Sequence, residues 1–169
     1  MKKLFYISLL FSLLTEGIKA QAQIDSIYIS KVDSIINVRQ GNSYKMPGKL
    51  VYKQVDDSLK MTTIAGIFEN GQLISLYYTD FGCDFGCEDV TFHLHNDSLI
   101  YIKYFLSDPD IRSRPPPSTT YILYYKNEKQ IYYSTSFYGS GARSCKEYSL
   151  DKKSFLEEFY YYKDILIDK

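Results

Sequence analysis

Tryptophan is absent from this chain of 169 residues, and cysteine occurs three times, histidine twice and proline five times. Each scarcity closes off a class. Three cysteines cannot build the dense disulfide framework on which very small secreted domains depend. No apolar stretch reaches the roughly twenty residues that a membrane-spanning helix needs. Charge of one sign is equally lacking, since 20 Lys and Arg balance 20 Asp and Glu. Nucleic-acid binding draws its affinity from clustered basic side chains that neutralise phosphates, and a polybasic membrane-surface role needs the same clusters. The composition points away from both. GxSxG, HExxH, Walker-type and GxGxxG patterns are missing as well, so the chain lacks the local signatures of several large enzyme classes. No cofactor is expected.

What is abundant is tyrosine, with 18 copies beside 10 phenylalanines. These residues favour pleated, half-buried surfaces, which points to β-structure. At the N-terminus, Lys2 and Lys3 precede an apolar run from Leu4 to Leu14, and Thr15, Glu16 and Lys19 interrupt it before a small-x-small site at Ala20-Gln21-Ala22. This is the pattern of a cleaved secretory signal peptide over residues 1–22. Cleavage would leave 17 basic and 19 acidic residues, a net charge of about −2. The remainder, 23–169, is long enough to bury one core and is read as a single α+β domain, exported to the periplasm or the extracellular space. No membrane insertion is expected once the signal is removed.

Ile24, Ile27, Tyr28, Val32, Ile35 and Ile36 fall on a helical stripe, so a first helix is expected up to about Val38. Lys49 to Val55 and Met61 to Glu69 read as strands around the turn residues Asp56, Asp57 and Ser58. Asn70-Gly71 tolerates the positive φ angles of a tight type I′ hairpin. Beyond it, Ile74, Leu76 and Tyr78 alternate with Ser75, Tyr77 and Thr79, and Val90, Phe92 and Leu94 alternate with Thr91, His93 and His95. Such alternation sends one set inward and the other to solvent. Asn96-Asp97 turns the chain into a strand from Leu99 to Leu106 that is apolar at nearly all positions. Pro115-Pro116-Pro117 cannot join a sheet ladder, so Ser107 to Ser118 is expected as an exposed loop. Thr119 to Lys126 and Gln130 to Tyr138 form a last hairpin around Asn127-Glu128-Lys129. A second helix follows near Asp151, with Phe155, Leu156, Phe159, Tyr162 and Leu166 on one stripe. The expected fold is α+β, an antiparallel β-meander of about six or seven strands with an N-terminal and a C-terminal helix.

NGQLISLYY and NDSLIYIKY form a weak internal repeat. At these two hairpins the chain resembles a loose group of small secreted β-meander proteins of the Bacteroidota, over roughly Asp25 to Phe137. The resemblance implies a signal peptide, an early amphipathic helix and aromatic strands. It carries no site residues.

The sharpest chemical feature is FGCDFGCEDVTFHLH, residues 81 to 95, which holds Cys83, Cys87, His93 and His95. Two imidazoles two residues apart on a strand, with two nearby thiolates, could complete a tetrahedral zinc site. An exported cysteine is usually oxidised, however, and a disulfide removes both thiolate ligands. The histidines then read as ordinary solvent-facing residues, and Cys83, Cys87 and Cys145 as disulfide candidates with one thiol left over. The pairing is open, with a slight preference for a bond to Cys145. A redox role would want C-x-x-C at a helix N-terminus, and a cysteine nucleophile normally opens a helix, whereas these cysteines lie between strands. The carboxylates Asp80, Asp84, Glu88 and Asp89 read as solvated loop charges.

Ser140-Gly141-Ala142-Arg143 partly resembles the SGxxY-type loop of periplasmic lysozyme inhibitors, in which a serine on a small β-barrel enters the enzyme's cleft. Ser144 stands where that motif has tyrosine. In an up-and-down meander the loop 107–118 and the segment 139–143 leave the sheet at the same end. Arg112, Arg114, Tyr138, Ser140 and Arg143 are therefore the candidate binding residues, because arginine beside aromatic side chains is enriched at interface hot spots. The expected function is an exported, non-enzymatic module that binds an envelope protein, in its most concrete version an inhibitor or immunity-type protein. The rival readings are a metal-binding or hydrolytic envelope enzyme using Cys83, Cys87, His93 and His95, and a structural envelope component.

Overall fold

Residues 22–40, 49–57, 60–82, 86–107, 118–138 and 154–167 are described by a computed structural model of the chain. Two compact units divide it, Met1–Lys45 and Met46–Lys169. The first contains helix α1, residues 22–40, in which Val32 and Ile36 are buried while Ile24 and Ile27 are exposed. Only the later half of the expected stripe is thus covered.

The second unit holds one sheet of seven antiparallel strands in the order of the chain: β1 (Lys49–Asp57), β2 (Lys60–Glu69), β3 (Gln72–Gly82), β4 (Gly86–His95), β5 (Ser98–Ser107), β6 (Ser118–Lys126) and β7 (Lys129–Tyr138). Helix α2 (Phe155–Ile167) follows. The α+β meander read from the sequence is the observed fold. Several boundaries differ. Asp56 and Asp57 continue β1, and Cys87, Glu88 and Asp89 belong to β4, because pairing across the sheet extends strands beyond their apolar positions.

Three hairpins close at one end of the sheet. Asn70-Gly71, Asn96-Asp97 and Asn127-Glu128 all have positive φ at both positions, the signature of type I′ turns. The last turn is therefore two residues long, with Lys129 already in β7. Each hairpin also carries a bulge at the same place. Ile67 pairs with Ser75 but Phe68 with Leu73, His93 with Tyr101 but Leu94 with Leu99, and Tyr124 with Tyr132 but Tyr125 with Gln130. The extra residue is an isoleucine each time: Ile74, Ile100 and Ile131. The weak repeat of two is structurally a repeat of three. The bulge also corrects the alternation expected after Asn70-Gly71, since Leu73, Leu76 and Tyr78 are buried together and Ile74 is the half-buried extra residue.

Ser154 precedes α2, and its carbonyl accepts the first helical bond from Glu158 N at 3.1 Å. Glu157 and Glu158 place negative charge in the first turn, where the helix dipole favours it. The helix crosses the strands. Phe155 meets Tyr104 of β5 at 5.3 Å between ring centroids, Phe159 meets Phe92 of β4 at 5.5 Å, and Tyr162 meets Tyr78 of β3 at 4.6 Å. One turn later Leu166 lies over Gly66 of β2, where an added Cβ would come within 2.9 Å of its Cδ1. Lys53 of β1 donates to the carbonyl of Ile165. Successive helical turns rise about 5.4 Å and neighbouring strands lie about 4.8 Å apart, so each turn of α2 covers one strand.

Candidate functional site

The end of the sheet opposite the three tight turns gathers every longer connection of the second unit. β3 and β4 are paired as far as Gly82 and Gly86. Ser107 pairs with Ser118, and Ser118 pairs with Tyr138. These three residues form one row at the sheet end, so the connection between β5 and β6 and the segment that follows β7 leave side by side. Tyr138 itself is strongly exposed. Arg112, Arg114, Ser140 and Arg143 lie outside the described residues, as do Cys83 and Cys145.

Cys87, His93 and His95 occupy positions of one parity on β4, six and two residues apart. They are not brought together. Cys87 and His93 stand six residues apart on one extended strand, about 20 Å at the usual rise, which is farther than a single tetrahedral ion spans. Among the described residues no group of three or more His, Cys, Asp or Glu side chains could hold a metal ion. His93 also departs from the solvent-facing position expected for it. It is buried and packs edge-on against Tyr101 at 5.6 Å, and the row continues through Tyr124 at 5.4 Å to Tyr132 at 5.8 Å. Those four residues are successive cross-strand partners, so the sheet itself builds an aromatic ladder on the face away from α2. His95 sits half-buried beside the Asn96-Asp97 turn.

Nearer the loop end, the same face carries a polar cluster. Asp89 is half-buried; its Oδ1 accepts a hydrogen bond from Tyr77 Oη at 2.9 Å and from Thr79 Oγ1 at 2.7 Å, and the two hydroxyls also meet. Asp89 is thus a bonded strand residue and not a solvated loop charge. Its signal in the sequence was available in principle, because Tyr77, Thr79 and Asp89 lie on one face once β3 and β4 are paired. The register that brings them together is not written in either strand alone.

On the other face, Tyr78 donates to Glu158 Oε2 at 2.5 Å and links β3 to α2. Its phenol is pushed well above the usual tyrosine range, first by burial, then by the negative charge of Glu158 and the hydrogen bond to it. It remains a neutral donor. Tyr160 donates to Glu128 in the third tight turn, and that bond is the main cause raising its pKa. Burial alone raises Tyr125. Among the described residues, no helix is long and apolar enough to cross a membrane. Comparison with protein-family models, curated proteins and solved structures finds no match.

Proposed function

We propose that this chain is an exported, non-enzymatic protein-binding module that engages an envelope protein through the loop end of its sheet, as an inhibitor or immunity-type protein does. The observation that carries the reading is the row Ser107, Ser118 and Tyr138, from which two long connections leave as neighbours. Arg112 and Arg114 belong to the first and Arg143 to the second. Arginine next to an exposed tyrosine is the pairing enriched at interface hot spots, and three consecutive prolines lower the ordering cost of docking.

Affinity capture with the full chain from envelope extract should return a stoichiometric protein partner. With that partner in hand, Arg112→Ala, Arg114→Ala and Arg143→Ala together should weaken binding by at least about 1 kcal/mol. Thermal stability should stay close to that of the parent. An unchanged dissociation constant in the triple variant would place the contact elsewhere and end this reading.

A further inference from the structure

The two edges of the sheet are treated differently. Helix α2, with 13 residues, is about 20 Å long, whereas seven strands span about 29 Å. The strand contacts described above run from β5 to β1, and toward β7 the helix reaches Glu128 of the preceding turn through Tyr160. β1 carries Lys49, Lys53, Asp56 and Asp57, charges of the kind that blunt an edge. β7 has one charge, Lys129, at its start. From Ile131 to Tyr138 it is uncharged and free of proline, and it ends the strand order, so among the described residues its outward N–H and C=O groups have no neighbouring strand. Four aromatic rings stand open along it: Tyr132 at 48 %, Tyr133 at 53 %, Phe137 at 62 % and Tyr138 at 63 % exposure.

Residues 132 to 138 read Tyr-Tyr-Ser-Thr-Ser-Phe-Tyr, which is nearly the same in both directions about Thr135. We propose that β7 pairs antiparallel with β7 of a second copy of this chain, about a two-fold axis through Thr135, and joins two sheets into one. In that register Tyr132 faces Tyr138 of the second copy, Tyr133 faces Phe137, Ser134 faces Ser136 and Thr135 faces its own counterpart. Every pair is aromatic with aromatic or hydroxyl with hydroxyl, the combinations that stabilise antiparallel neighbours. A two-fold axis normal to the sheet keeps each face on its own side, as the odd and even positions of these pairs require.

Two further observations converge on this arrangement. The ladder His93, Tyr101, Tyr124 and Tyr132 is cut open at β7, and Tyr138 of the second copy continues it. Lys129 falls outside the paired stretch, so no charge is buried. The four open rings amount to on the order of 450 Å² per copy. Burial of most of that area together with the edge backbone would bring two copies near the roughly 1,000 Å² of a specific interface. Pairing of β7 with β1 of another copy would instead build an open chain of molecules and set Tyr and Phe against the charged edge.

Sedimentation velocity on the full chain at about 100 µM tests the proposal, because a dimer of micromolar Kd is almost fully assembled there. The parent chain should run as a dimer. Thr135→Lys and Thr135→Glu should each run as monomers with the parent's circular dichroism, and an equimolar mixture of the two should run as a dimer again, because unlike charges then face each other. A monomeric parent overturns the proposal, and so does a dimer that survives Thr135→Lys. Where the change at Thr135 disturbs the fold, Ser134→Lys combined with Ser136→Lys sets lysine opposite lysine in both flanking pairs and reads the same way: loss of the dimer supports the pairing and its retention overturns it.

Discussion

Tyr77 and Tyr78 are neighbours in β3, and each donates its hydroxyl to a carboxylate, yet they stand in different physical worlds. Tyr78 points under α2, is almost fully buried, and bonds a residue 80 positions away in the chain. Tyr77 points to the other face, keeps more than a third of its surface in solvent, and bonds Asp89 of the adjacent strand. A strand's period of two is the whole cause of the difference. The same bond therefore ties a helix to the sheet on one face and only two paired strands on the other. The faces should accordingly differ in how much they tolerate.

The largest effect is expected where α2 is seated. Phe159→Ala removes the ring that packs on Phe92 and leaves a cavity at the centre of the helix–sheet contact. The loss should be about 3–5 kcal/mol, read from the denaturant midpoint. A cost below about 1 kcal/mol would mean that the helix contributes little to holding the sheet.

Tyr78→Phe probes the same face more gently. It keeps the ring but removes the donor to Glu158, and it should cost about 1–3 kcal/mol near neutral pH. The pH dependence has a definite sign. Folding holds the Tyr78 phenol above its unfolded value of 10.0, so its contribution is complete below that pH and is lost as pH rises above it. In that range the unfolded chain releases a proton that the folded chain retains, and stability falls by up to about 1.4 kcal/mol per pH unit. Alkaline unfolding curves of Tyr78→Phe should be flatter by about one proton than those of the parent. Equal slopes would show that the phenol ionises without unfolding.

The smallest effect is expected from Tyr77→Phe, whose hydroxyl serves a half-buried carboxylate that Thr79 also serves. Its cost should stay below about 1 kcal/mol. A loss as large as that of Tyr78→Phe would abolish the distinction between the faces.

Much of this architecture was legible in the chain. Asn followed by Gly or Asp marked two tight turns, because these residues enter the left-handed region at low cost. Phe155, Phe159, Tyr162 and Leu166 marked α2 through the helical period, and all four face the sheet. The candidate site was less legible. That Ser107, Ser118 and Tyr138 share one row follows from the up-and-down order, which the sequence suggested. The burial of His93 did not follow, since a polar residue at an alternating position reads as exposed unless the packing on that face is known. The third turn was expected around Asn127-Glu128-Lys129, and Glu128 hid only its two-residue form, because glutamate rarely takes positive φ; its link to Tyr160 lies in the tertiary structure.

The up-and-down strand order and most of the core-facing positions were determined by the sequence alone, because alternation, helical period and turn chemistry act over a few residues. Three features were decided only by tertiary structure. The bulges at Ile74, Ile100 and Ile131 arise from pairing between strands and shift which side chains share a face. The path of α2 across the strands comes from the near match between its pitch and the strand spacing. The position of β7 past the strands that α2 crosses arises where a helix of 13 residues meets a sheet of seven strands, and no local pattern in either element contains that mismatch.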